Sequence, residues 1–205
     1  MELKRYKTEN INQCEEQCEE VWMEHIRGGD HQAFEALFKK YCLPLTRFAW
    51  RFVSSHAISQ ELVQEVFADI WEKRETLLIH GSIRPYLYKA TKNRALNFLK
   101  RNEIKKECDT LWVEKMETTS MFEFEGQEET EQLRKMIGRA VEELPPRSRM
   151  TYKLHRHDGL TYEEIAEVMN ISVKTVESQM TRTLKILRER LAIMLPCLLM
   201  ALLGG

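Results

Sequence analysis

The chain has 205 residues, a net charge of −1, 43% hydrophobic and 31% charged residues, which suits one or two soluble globular domains each able to bury its own core. Five prolines and eight glycines are few, so long helices are favoured over turn-rich sheets. Five scattered cysteines behind a polar N-terminus suggest reduced thiols in the cytoplasm rather than a secreted disulfide scaffold.

A polar start leads into a helix near Glu15–Arg27, closed by Gly28 and Gly29, with Asp30 as the cap of the next. That second helix is expected over about His31–Val53. Phe34, Leu37, Phe38, Tyr41, Leu45, Phe48 and Phe52 recur on it at helical spacing, and Pro44 should kink or break it. A third helix covers about Ile58–Arg74 and a fourth about Ile83–Arg101, separated by the loop Glu75–Ser82. Periodicity then fades. It resumes over Thr130–Glu143, Pro145-Pro146 opens another helix, and Thr161–Met169 and Ser172–Leu191 complete a C-terminal unit. The apolar tail Ile193–Leu203 falls short of the roughly 20 residues needed to cross a bilayer.

Charge is segregated. Between Arg84 and Lys106 eight basic residues face one acid, Glu103, whereas Glu107–Glu131 holds nine acids and one base, Lys115. A local basic run of this kind points to a nucleic-acid site. On the third helix Glu61, Glu65 and Asp69 follow at four-residue steps, with Gln64 and Glu72 beside them. Like charges at that spacing destabilise a helix by about 0.2–0.5 kcal/mol per pair, a cost that a basic partner surface would explain. A solvated acidic face is the plainer account. On the fourth helix Lys89, Lys92 and Lys100 group with Asn93 and Tyr88, a set suited to phosphates and stacked bases, or equally to a solvated face. Arg94 falls on the apolar side, where it should snorkel or pair with a carboxylate.

The strongest local signal is Gly159–Met180. Thr161 and Glu164 form a capping box, Ala166 allows two helices to cross closely, Asn170 tolerates positive φ, and Ser172 caps the second helix. Two caps around a short turn describe a helix-turn-helix. Val173, Val176, Met180, Leu184, Leu187 and Leu191 form the expected core side of the second helix. Lys174, Glu177, Ser178, Thr181, Arg182 and Lys185 lie opposite as the reading face, with Thr175 at its edge.

Taken in order, four stretches resemble a bacterial RNA polymerase sigma factor of the extracytoplasmic-function (ECF) type. They are the run Ile26–Phe38, the run Glu61–Trp71 (Glu-Leu-Val-Gln-Glu-Val-Phe-Ala-Asp-Ile-Trp), the run Ile83–Arg101, and Leu144-Pro-Pro-Arg-Ser-Arg ahead of the helix-turn-helix. The resemblance implies an all-α fold of two helical domains joined by an acidic linker: 1–102, linker 103–131, helix-turn-helix domain 132–192, and an apolar tail 193–205. It implies that Glu61, Leu62, Gln64, Glu65 and Asp69 contact the clamp helices of the polymerase's largest subunit. His80, Ser82, Arg84, Lys89, Lys92, Asn93 and Lys100 would then open and hold the minus-ten element as a single strand. Ser172, Lys174, Thr175, Glu177, Ser178 and Arg182 would read the minus-thirty-five duplex. The implied partners are core RNA polymerase, promoter DNA and an anti-sigma factor, with no small-molecule substrate. The chain departs from the family in Ser54–Gln60, where an Asp-rich lead is common, and at Asn170, where Gly is common.

The alternative is a conventional helix-turn-helix regulator with an N-terminal sensing or dimerisation domain, which leaves Glu61–Trp71 and Arg84–Arg101 without a reason. An enzyme acting on nucleic acid would need a phosphate-binding Gly loop or clustered carboxylates for metals, and neither motif is present. No catalytic residue, metal or cofactor is therefore expected. Cys14 and Cys18 lack the further ligands that zinc would require.

Overall fold

A computed structural model describes residues 19, 21–79, 81–101 and 136–203 of the protein. The acidic stretch 103–131, Cys14, Cys18 and His80 lie outside the described residues. All regular structure among the described residues is helical, and the chain divides into two compact units, Met1–Lys105 and Lys106–Gly205.

In the first unit, α1 (21–27) buries Met23 and Ile26 and stops at Gly28-Gly29, where Gly29 takes φ +84° and donates to the Ile26 carbonyl at 2.9 Å. Positive φ at that position is why glycine stands there. Asp30 then caps α2 (His31–Val53), accepting from the backbone N–H groups of Gln32 and Ala33. The stripe Leu37, Tyr41, Leu45, Phe48 and Phe52 is buried, while Phe34 and Phe38 are half-buried against α3.

Pro44 does not break this helix, which runs unbroken on both sides of it. Proline in a helix interior costs about 3 kcal/mol. The buried residues before it (Leu37, Tyr41) and after it (Leu45, Phe48) belong to one core stripe, and breaking the helix would expose half of that stripe.

Ser54, at φ +51°, ends α2, and Ser55 caps α3 (His56–Glu72), so α3 starts two residues before the expected Ile58. The apolar face of α3 packs on α2: Phe67 meets Phe38 edge-on at 4.9 Å, and Trp71 lies 5.0 Å from Phe34. Finally α4 (Ile83–Arg101) closes the bundle against both, burying Ile83, Leu87, Thr91, Ala95 and Leu99.

The second unit holds α5 (136–142), α6 (Pro146–Arg156), α7 (Tyr162–Met169) and α8 (Val173–Leu203). Ala140, Val141 and Leu144 pack on Leu187, so the end of α5 is seated on α8. Helix α8 continues through Pro196 to Leu203 and does not stop near Leu191 as expected; the Leu, Met and Ala residues around the proline are good helix formers. Among the described residues no helix is long and apolar enough to cross a membrane.

The capping box of α7 is complete: the Thr161 side chain accepts from Glu164 N–H at 3.2 Å, and the Glu164 carboxylate accepts from Thr161 N–H at 2.7 Å. Thr161→Ala should cost about 1 kcal/mol. Amides of α7 should then exchange with solvent correspondingly faster, those of α2 should not, and Thr161→Ser should behave as the parent protein.

Candidate nucleic-acid interfaces

The turn between α7 and α8 has the expected geometry. Asn170 adopts φ +55°, ψ +50°, and Ile171 N–H closes on the Ala166 carbonyl at 3.0 Å. Ala166 is buried, as a close crossing requires, and Ser172 accepts from Thr175 N–H at 3.1 Å to start α8. His155 braces the approach to this turn: its Nδ1 lies 2.9 Å from the Leu160 carbonyl and its ring rests on Tyr162.

All six residues expected to read duplex DNA on this helix, Ser172, Lys174, Thr175, Glu177, Ser178 and Arg182, are exposed. Ser172 and Thr175 share a hydroxyl contact of 2.8 Å, so both are engaged in the cap. That leaves Lys174, Glu177, Ser178 and Arg182 as the outward-facing group. Among the described side chains the core side differs at Leu184, while the Leu191 side chain lies outside the described residues. Leu184 is 47% exposed, while Thr183 is fully buried. The buried positions Val176, Met180, Thr183 and Leu187 follow a strict three-four spacing, and Leu184 falls one step to the side of that seam. Sequence patterning favoured Leu over Thr by hydrophobicity; helix geometry decides otherwise.

Gln179 went unnoticed in the sequence. Its side-chain oxygen accepts from the Thr151 hydroxyl at 2.6 Å, fixing the reading helix to α6. Glu142 anchors α6 in turn, accepting from Arg149 at 3.1 Å and Lys153 at 2.7 Å.

In the first unit, Glu61, Gln64 and Glu65 are exposed on α3 and Asp69 is half-buried. Leu62 is buried, so it supports this face from below and offers nothing to a partner. The acidic face is not left to repel itself. From α4, the Arg94 guanidinium hydrogen-bonds the Glu65 and Asp69 carboxylates together, and Lys73 stands 3.4 Å from Asp69. Burial pushes the Asp69 carboxyl up, but Arg94 and Lys73 outweigh it and hold the group below its usual range. The pairing anticipated for Arg94 on the apolar side of α4 is thus made with the acids of α3.

On α4, Asn93 and Lys100 are exposed and Ser82, Arg84 and Lys89 half-buried. Lys92 is only 7% exposed; burial, then the charge of Lys89, pull its ammonium below the usual lysine range. Tyr88 is 1% exposed, its ring 5.0 Å from Phe48, so it is a core residue and cannot stack on a base. Tyr86, Lys89, Asn93 and Lys100 share the more open side at helical spacing, and Tyr86 is the aromatic with an accessible edge. Among the described residues no cluster of His, Cys, Asp or Glu could hold a metal ion.

Two family models match the chain: Sigma-70 region 2 over residues 37–104 and Sigma-70 region 4 over residues 134–187. The ECF RNA polymerase sigma-E factor of Escherichia coli (strain K12) is 30% identical over 175 residues, spanning 82% of this chain and 91% of that protein. Its counterpart in Haemophilus influenzae is 24% identical over 185 residues, 87% of this chain and 97% of that one. Among solved structures, CnrH in complex with the cytosolic domain of CnrY matches with a TM-score of 0.57 at 19% identity, over 86% of this chain and 98% of that one. The sigma factor RpoE in complex with the anti-sigma factor NepR, from Bartonella quintana, matches with a TM-score of 0.51 at 18% identity, over 78% and 97%.

The Arg94 bridge has a pH signature. Asp69 has a folded pKa below its ordinary 3.8, so its contribution to stability is present above that value and is lost as pH falls through the folded pKa. Between pH 7 and pH 3 the urea midpoint of the first unit should therefore fall further in the parent protein than in Arg94→Gln, which lacks the bridge. Equal falls would show that the bridge does not shape the carboxylate.

Proposed function

The chain belongs to the ECF sigma factors of bacterial RNA polymerase, and we propose that its two helical units divide promoter recognition between single-stranded and duplex DNA. As a sigma factor it directs core RNA polymerase to specific promoters and so sets where transcription begins. It performs no catalytic step itself; the polymerase supplies the chemistry, in the cytoplasm.

The observation that carries this reading is the order of the two matched regions on two separately packed helical units, each with a polar face of the required chemistry. The exposed Lys174, Glu177, Ser178 and Arg182 follow a capped turn at the N-terminal half of α8, where side chains of a reading helix reach base edges in the major groove. The open side of α4 presents Tyr86, Lys89, Asn93 and Lys100, with Arg84 at its first turn, to an extruded strand. Lys92 supports that helix from within. Glu61 and Gln64 are the exposed polar residues of α3 for polymerase contact, with Glu65 and Asp69 adding a carboxylate surface already bridged by Arg94. By analogy with the RpoE–NepR complex, an anti-sigma factor is the third partner.

Run-off transcription by core polymerase on fragments of the source genome, with and without the protein, tests the whole reading. New discrete start sites should appear only when it is added; their absence would sink the proposal and favour a conventional regulator. Glu61→Lys should weaken core binding without disturbing the Arg94 bridge. Lys174→Ala or Arg182→Ala should cost about 1–3 kcal/mol in upstream duplex binding, selectively where the residue reads a base and uniformly where it touches phosphate.

A further inference from the structure

One buried carboxylate of the first unit makes several polar contacts beside the proposed minus-ten surface. Glu19 is 1% exposed, and burying a carboxylate is costly unless it is paired and hydrogen-bonded. It is both. The Tyr41 hydroxyl donates to it, the Lys40 ammonium stands 2.9 Å from Oε1, and the Ser82 hydroxyl donates to Oε2 at 3.0 Å. The Tyr41 ring is buried, and its hydroxyl is held well above the ordinary tyrosine range by burial and then by the Glu19 charge. It therefore remains a donor.

Ser82 is 63 residues from Glu19 and starts α4, its hydroxyl accepting from Arg84 N–H at 3.2 Å. One carboxylate thus fixes the residue from which the basic helix departs. The other end of the α3–α4 connection is tied to the same N-terminal region. Arg27, at the end of α1, donates from Nη2 to the Leu77 carbonyl at 3.2 Å. Leu77 and Ser82 are therefore held by Arg27 and Glu19, neither of which is itself assigned to DNA contact.

We propose that Glu19 and Arg27 are positioning residues for promoter opening, setting the entry and exit of the α3–α4 connection so that Arg84 and Lys89 meet the melted strand. This rests on the reading of α4 as the minus-ten surface. A misplacement of about 1 Å can cost on the order of a hundredfold where groups must be held in register. The expected defect is thus in opening, with assembly spared.

The test uses full-length protein assembled with core polymerase on a promoter found by run-off transcription. Core affinity, upstream duplex binding and permanganate reactivity of the melted strand are measured side by side. Glu19→Ala should leave the first two within about twofold and lower strand reactivity about tenfold, with Glu19→Gln in between because it still accepts hydrogen bonds. Arg27→Gln should show the same split, and it decides the matter with Glu19→Gln if Glu19→Ala does not fold. A pre-melted promoter should restore most of the lost run-off product in these variants, since the defect lies in opening the duplex. Unchanged reactivity, or parallel loss of core affinity and opening, would overturn the proposal. Lys89→Ala combined with Asn93→Ala serves as the separate control: if that pair leaves reactivity intact, the reading of α4 itself has failed.

Discussion

Arg94 sits between two carboxylates one helical turn apart, Glu65 and Asp69, and the arrangement of both proposed surfaces of the first unit rests on that placement. Acids repeated at four-residue steps would weaken α3 if each faced water alone. A guanidinium suits the task because its planar fork can serve two acceptors at once while its stem lies along the apolar seam. The consequence is structural coupling. The helix proposed to meet the polymerase and the helix proposed to meet the melted strand are joined by one side chain. Exposed ion pairs usually contribute little to stability. Here the Asp69 arm is partly buried and the Glu65 arm exposed, and one guanidinium shared between them ties α3 to α4.

The acidic face therefore serves two ends. The sequence alone leaves two accounts of the repeated acids, a solvated face or one that meets a basic partner surface. Arg94 already offsets much of their repulsion within the unit, leaving Glu61 and Gln64 as the exposed polar contribution nearest the start of the face. The proposed partner contact and the internal pairing draw on the same row of residues, so charge reversal at Glu65 or Asp69 would disturb both at once.

Much of the fold was legible because the relevant physics is local. The bounds of α2 and α4, the caps at Asp30, Thr161 and Ser172, and the positive φ of Asn170 follow from residue type within four positions. What was misread depends on packing between helices. Tyr88 and Lys92 occupy the edge of a polar arc, and only the approach of the neighbouring helices makes them core. Thr183 replaces Leu184 in the seam for the same reason. Pro44 is tolerated because a continuous buried stripe outweighs one missing hydrogen bond. The Glu19 cluster was invisible because Glu19, the Lys40-Tyr41 pair and Ser82 stand far apart in the chain and share no periodicity.

Each proposed DNA surface carries few exposed cations. The exposed reading face of α8 offers Lys174, Arg182 and Lys185 alongside Glu177, and the open side of α4 offers chiefly Lys89 and Lys100. Affinity for DNA comes mostly from phosphate neutralisation, and log K falls with log salt by about 0.9 per neutralised phosphate on duplex. A few contacts per unit therefore give weak, salt-sensitive binding. That is useful in a factor that must choose its promoter only when bound to polymerase. Once both units are held on the enzyme, the second contact becomes intramolecular, and avidity can rise about 10²–10⁴-fold without a new contact. Specificity then resides in the assembled complex. On the proposed reading, the sparse basic faces would keep the free protein from competing with that complex for DNA.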